Sequence, residues 1–214
     1  MKSLINFFVK VGNLRKVLRR GWVLIGAKEP ASVLDHSFRL AIMAWVLGQQ
    51  SGKEIDINRL IKMALVHDLC ELYAGDVTPY DLAGLPEDET KWPELFDKWP
   101  RSSQKQKQEN NTWKCEQEDK SLQSILKDLP VGLKQEVYGF WKEYEKGITP
   151  EARFLKQLNR LETLLQALEY GRENKKTPYK SWWIGTKELV DDPFLIKLME
   201  GFEKEFPLGE NKQE

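Results

Sequence analysis

Histidine is nearly absent from this sequence: His36 and His67 are the only two among 214 residues. Cysteine is as sparse. Cys70 and Cys115 stand alone with no C-x-x-C pair, which excludes a zinc ribbon or a thioredoxin-type redox motif. Two lone cysteines fit a reducing, cytoplasmic setting better than a secreted disulfide scaffold, and both read as ordinary thiols. No apolar run reaches the roughly 18–20 residues needed to span a bilayer, so no membrane partner is expected. The apolar stretch near the start (Leu4, Ile5, Phe7, Phe8, Val9) is short and lacks a small-residue cleavage site. It reads as an amphipathic first helix and not as a signal peptide. An excess of one charge is missing too: Lys+Arg and Asp+Glu both number 33, for a formal net charge of zero. That balance removes the electrostatic footprint of a nucleic-acid or anionic-membrane binder. Alternating, strand-like runs are missing throughout.

What is present is helical spacing. Hydrophobic residues make up 41%, enough for the core of a single domain over 1–214. The pattern predicts an all-α bundle of about six or seven helices. The first covers Leu4 to Arg19, and a connection opens at Gly21-Trp22 and contains Gly26 and Pro30. A second helix starts near Ser32, where Ser32 and Asp35 have the shape of a capping box, and runs to about Gln50 on the stripe Val33, Phe38, Leu40, Ala41, Ala44, Trp45 and Leu47. Asp56 is an N-cap for a third helix from Ile57 to about Tyr73, ended by Gly75. A polar excursion follows at about 79–112, with Pro86, Pro93 and Pro100 and one short helix at best. Its Trp92, Phe96, Trp99 and Trp113 fold back over the domain. Helices then cover Lys114 to Leu129, Leu133 to Lys146, Glu151 to Tyr170 (capped by Thr149-Pro150) and Pro193 to Phe206.

Both histidines fall on helices rich in core residues, and each has an aspartate beside it: Asp35-His36 and His67-Asp68. In His67-Asp68-Leu69-Cys70-Glu71 the i, i+4 spacing puts His67 and Glu71 on one helix face. Asp68 lies about 100° further round. A neutral imidazole with a carboxylate suits Zn²⁺, Mn²⁺, Fe²⁺ or Co²⁺, and such an ion acidifies a bound water towards neutral pH. Glu71, and Asp76 just past Gly75, are then free acids for proton management. A lone histidine on an apolar helix face is more often a packed core residue, so composition and spacing give a metal-site hypothesis and no more.

The string from Ile61 to Val77, centred on His67-Asp68-Leu69-Cys70-Glu71 and ending Gly75-Asp76-Val77, closely resembles the central motif of one HD-domain family. That family holds the bacterial 5′-deoxynucleotidase and the eukaryotic HD domain-containing protein 2. Arg19-Arg20-Gly21-Trp22-Val23 and the segment Pro30 to Arg39 resemble its arginine/tryptophan and first-histidine motifs. Thr149 to Phe154 and Leu161 to Tyr170 resemble its last motif helix. The segments stand in family order over about residues 19–170. The resemblance implies His36, His67 and Asp68 as ligands of a divalent transition metal ion, and Glu71 and Asp76 as catalytic acids. It implies an arginine of the Arg19/Arg20 pair at the phosphate, with Trp22 lining the site. It further implies removal of phosphate from 5′-nucleoside monophosphates, deoxy forms preferred, by a homodimer.

One position departs from the pattern. The family's fourth ligand is the aspartate of an Asp-Lys/Arg-Leu-Glu string, and this chain has Asn159-Arg160-Leu161-Glu162. Asparagine offers a neutral carbonyl oxygen and no charge, which lowers the expected metal affinity. A working enzyme with weaker binding, a natural variant reduced to nucleotide binding, and an introduced substitution are all compatible with that residue.

Overall fold

Apolar residues at three- and four-residue spacing do form helices in the computed structural model, which describes residues 1–96, 98, 100–173 and 180–206. Twelve α-helical segments lie among the described residues: α1 Lys2–Gly12, α2 Arg20–Leu24, α3 Val33–Gln50, α4 Ile57–Val66, α5 Glu71–Ala74, α6 Pro79–Ala83, α7 Trp92–Phe96, α8 Gln104–Leu126, α9 Val131–Lys146, α10 Pro150–Glu173, α11 Lys180–Leu189 and α12 Pro193–Glu205. The all-α class is as expected. The helix count exceeds six or seven because short helices and α11 carry little periodic signal. The one sheet-like feature among these residues is an isolated antiparallel bridge between Leu18 and Ser32.

α10 is the central element. Phe154, Leu155, Leu158, Leu161, Leu164 and Leu168 are all buried, several with no exposure at all. They join Leu40 and Ala44 of α3, Leu60, Met63 and Ala64 of α4, Trp183 of α11, and Leu195 and Met199 of α12 in one cluster. Each such side chain contributes ~1.5–3 kcal/mol on burial, set against the entropy of ordering the chain. Thr149 caps α10, accepting from the Ala152 amide at 3.2 Å. A second cluster joins Leu14, Val33, Leu69, Cys70, Leu122, Leu126 and Trp141, and so ties α8 and α9 to the segment after α4.

Several sequence expectations change in the structure. The first helix stops at Gly12 and continues as a 3-10 turn over Asn13–Lys16. The presumed connection at Gly21-Trp22 is the short helix α2. The helix expected over Ile57 to Tyr73 is interrupted. After α4 the chain makes tight i→i+3 hydrogen bonds, Leu69 N–H to Val66 O at 3.2 Å and Glu71 N–H to Asp68 O at 3.0 Å, before α5 resumes. The i, i+4 face of His67 and Glu71 therefore does not rest on a regular helix. The stretch 79–112 holds α6, a 3-10 turn, α7 and the start of α8, more than one short helix. α8 begins ten residues before the expected Lys114, behind a capping box of Ser103 and Gln106. Its polar first half gains from Lys–Glu pairs at i, i+4, which hydrophobic periodicity cannot reveal. Trp99 lies outside the described residues.

In α3 the expected stripe divides. Val33, Leu40, Ala41 and Ala44 are buried, whereas Phe38 (65% exposed) and Trp45 (52%) face outward with Ile42 and Val46. The helix is apolar on two faces, and only the one bearing His36 meets the core.

Candidate metal and phosphate site

Three local structures bring the site together. The Leu18–Ser32 bridge is extended by Arg19 N–H to Ala31 O (2.8 Å) and Val33 N–H to Val17 O (2.8 Å), which fixes Arg19 beside the start of α3. Ser32 and Asp35 form the expected capping box, the Asp35 carboxylate accepting from the Ser32 amide at 2.8 Å and hydroxyl at 2.7 Å. Asp35 is thus committed to starting the helix that carries His36. The tightened turn over residues 67–70 then sets His67, Asp68 and Glu71 along one cavity.

Within this cluster the imidazoles are held as acceptors. His67 Nδ1 lies 2.8 Å from Ala64 O, so that nitrogen carries the proton and donates. His36 Nδ1 donates to a Glu162 carboxylate oxygen. Burial, with the Arg19 charge second, holds the His36 pKa below its ordinary value, and the ring stays neutral. Both Nε2 atoms are then lone pairs. Each is buried and without a hydrogen-bond partner. They face the same Asp68 oxygen, His67 Nε2 at 3.0 Å and His36 Nε2 at 3.6 Å. Three acceptors converge with no proton between them, and the only donor at that oxygen among the described residues is Arg19, its Nη1 at 3.3 Å. Two imidazole nitrogens and a carboxylate oxygen within 4.8 Å of one another are a donor set that fits a divalent transition ion. Burial alone would raise the Asp68 pKa, but the surrounding positive charge, the Arg19 guanidinium included, outweighs it and keeps the carboxyl ionised.

A carboxylate network backs this cluster. Glu162 is fully buried, and its other oxygen accepts from Arg39 Nε at 2.8 Å; Arg39 continues to Glu169 at 2.6 Å. Burial opposes ionisation of Glu162, yet His36 and Arg39 hold its pKa at about 2. A carboxylate on the distal nitrogen of a ligating histidine fixes both its tautomer and its orientation.

The remaining expected residues distribute as follows. Glu71 is buried, one of its oxygens has no partner, and burial followed by the Asp68 and Asp76 charges raises its pKa well above the carboxylate range. Asp76 accepts from the Arg20 amide at 2.8 Å and lies 3.5 Å from Arg19 Nε. Arg19 lines the cavity. Arg20 does not: its guanidinium turns to Asp81 at 3.1 Å, so of the pair only Arg19 faces the cluster. Trp22 is buried, donates to Gln166 Oε1 at 2.7 Å and stacks on Trp182. Asn159 lines the same cavity, and its amide nitrogen donates to the Tyr144 hydroxyl at 2.7 Å, leaving its carbonyl oxygen as the acceptor.

Arg19, Trp22, Glu71, Asp76 and Asn159 share with His67 and Asp68 a cavity of about 1060 Å³, also lined by Tyr80, Lys114, Lys156 and Trp182 and ample for a nucleotide. Sequence reading passed over Glu162, Tyr144 and Trp182. Glu162 had a signal, since it stands three residues after Asn159 on one helix; the two aromatics reach the cavity from α9 and α11 with no local motif.

The profile of the HD domain family matches residues 11–185. The chain belongs to the HD-domain family. Among its HD-family relatives, 5′-deoxynucleotidase HDDC2 of Homo sapiens is 32% identical over 205 residues, covering 95% of this chain and 86% of that protein. The HDDC2 5′-deoxynucleotidase of Dictyostelium discoideum is 34% identical over 207 residues, covering 92% and 95%. Two solved structures share the HD-type fold. A conserved hypothetical protein from Pyrococcus furiosus superposes with a TM-score of 0.68 at 24% identity, covering 94% of this chain and 99% of that one. A protein from Magnetospirillum magnetotacticum described as a predicted metal-dependent phosphohydrolase gives 0.65 at 23%, covering 97% and 93%.

If Glu162 orients His36 for an ion, Glu162→Gln weakens Co²⁺ affinity by ~10–100-fold. Chelator competition read on the visible Co²⁺ spectrum measures this, and an unchanged affinity contradicts it.

Proposed function

We infer that this chain is a metal-dependent 5′-deoxynucleotidase, a phosphohydrolase that removes phosphate from 5′-nucleoside monophosphates with deoxynucleotides preferred. The observation that carries the reading is the convergence of two imidazole lone pairs and the Asp68 carboxylate, with His67 and Asp68 opening on a cavity that also holds Arg19, Glu71 and Asp76. The names of relatives that match nearly the whole chain support the same activity. We assign His36, His67 and Asp68 as ligands of Mn²⁺, Co²⁺, Zn²⁺ or Fe²⁺, with the Asn159 carbonyl as a weak fourth donor. Such an ion, when bound, supplies positive charge and Lewis acidity towards water and the phosphoryl group.

The chain's own residues carry the other parts of the reaction. Arg19 presents a forked cation to phosphate oxygens. Glu71, kept protonated by burial and by neighbouring carboxylates, has a proton to give to the 5′-oxygen as it leaves. Asp76, steadied by Arg19 and the Arg20 amide, offers an acceptor for a proton of the attacking water. Trp22 closes the apolar side of the cavity. Water adds to phosphorus, the bond from phosphorus to the 5′-oxygen breaks, and nucleoside and inorganic phosphate leave.

A second reading, a nucleotide-binding protein without turnover, is favoured by Asn159 alone. The buried, unpartnered Glu71 oxygen weighs against it, because an idle site has no need of that costly group. We also propose a homodimer. The exposed apolar stripe on α3 (Leu34, Phe38, Ile42, Trp45, Val46) is surface of the kind a two-fold partner covers.

Three outcomes follow for experiment. Purified protein with added Mn²⁺ or Co²⁺ releases phosphate from dAMP, dGMP, dCMP, dTMP or dUMP; metal-loaded protein inert on the whole panel refutes the assignment. Asn159→Asp gains both metal affinity and turnover, and equal or lower values for both would contradict a ligand role at that position. Light scattering gives twice the chain mass for the wild type and a smaller mass for Phe38→Glu; a monomeric wild type removes the dimer.

A further inference from the structure

The cavity holds a cation that this reading leaves without a task. α10 carries Lys156 one turn before Asn159, and both line the cavity with His67, Asp68 and Glu71. The backbone leaves room for its stem. Gly147, in the left-handed conformation that ends α9 (φ +61°), stands where a Cβ would lie 3.1 Å from Lys156 Cε and 3.2 Å from Cδ. Any other residue there would be strained and would press on the lysine. Past that glycine the ammonium lies 4.7 Å from the centre of the Tyr144 ring. The same ring is 5.1 Å from the His67 ring, and its hydroxyl accepts from Asn159. Ammonium, phenol ring and histidine cluster are therefore successive parts of one wall.

Two other cations of the cavity are already matched. Arg19 has Asp68 at 3.3 Å and Asp76 at 3.5 Å, and Lys114 of α8 has Glu118 at 3.3 Å. Lys156 has no carboxylate within 4.0 Å among the described residues; its close partner is an aromatic face. Burial lowers its pKa despite the more distant charge of Glu145, and Lys114 and Arg160 add to that penalty, which a bound anion relieves. A phosphomonoester brings nearly two negative charges at neutral pH. Arg19 is shared between two carboxylates before the substrate arrives, so beside the assigned metal ion the dianion gains from a cation that is not.

Resting on the nucleotidase reading, we propose that Lys156 is a phosphate-binding residue whose ammonium meets a non-bridging oxygen of the substrate and of the inorganic phosphate product. As a compact point charge on a guided stem, lysine suits an oxygen of a tetrahedral group without demanding a planar partner.

The test uses the Mn²⁺-loaded protein, with Lys156→Met keeping the stem and removing the charge. The KM for dAMP and the Kd for inorganic phosphate, measured by calorimetry, should each rise about tenfold or more, the scale of a lost charge-assisted hydrogen bond. Bound metal per chain and Tm should stay at the wild-type values, and Lys156→Arg should recover most of both affinities. Wild-type KM and phosphate Kd in the Lys156→Met protein overturn the proposal. Should the methionine variant lose Tm or metal, Lys156→Gln is read by the same two constants with the same meaning. If the wild type releases no phosphate from any of the five deoxynucleotides, the nucleotidase reading fails separately. Phosphate binding lost in the variant then still supports the subsite, and binding retained overturns it.

Discussion

Two imidazole nitrogens and a carboxylate oxygen, all acceptors, are held against one another in a buried place where no proton separates them. That arrangement is costly unless a cation fills it, because acceptors removed from water need donors or charge in return. The rest of the molecule maintains it. Ala64 O takes the proton side of His67, Glu162 takes that of His36, and Arg39 keeps Glu162 ionised against its burial. Neither ring can turn its lone pair away without leaving a buried N–H or carboxylate unpaired.

The fold can be read as the frame for that constraint. α3 and α4 bring the histidines in on adjacent helices, and α10 packs against both while carrying Asn159 and Lys156 along its cavity side and Glu162 behind His36. The interruption after α4 matters as much as the helices do. The tightened turn sets Asp68 and Glu71, three residues apart, together on the cavity. Ser121 of α8 secures that turn by donating to Cys70 O. The long polar helix α8 thus supports the site at one end and contributes Lys114 to its rim.

Much of this was legible in the residues. Leucine spacing marked α10, Ser32 and Asp35 marked the start of α3, and two lone histidines beside aspartates marked the cluster. What stayed hidden has physical reasons. α11 is short and tryptophan-rich, and its burial comes from partners far away in sequence. The first half of α8 has no apolar stripe because it is held by its cap and by charge pairs. Arg19 and Arg20 are indistinguishable as types; only the bridge at Leu18 and the acceptor at Asp81 decide which one faces inward. The tautomers, and so the direction of both lone pairs, depend on Ala64 O and Glu162, which no local motif announces.

The central claim concerns where a divalent ion sits. Diffraction data collected on either side of the zinc absorption edge, from crystals of the Zn²⁺-loaded protein, test it directly. The account predicts an anomalous peak about 2.0–2.2 Å from His36 Nε2, His67 Nε2 and an Asp68 oxygen. A peak elsewhere, or rings whose Nε2 atoms face apart around an empty cluster, would contradict it.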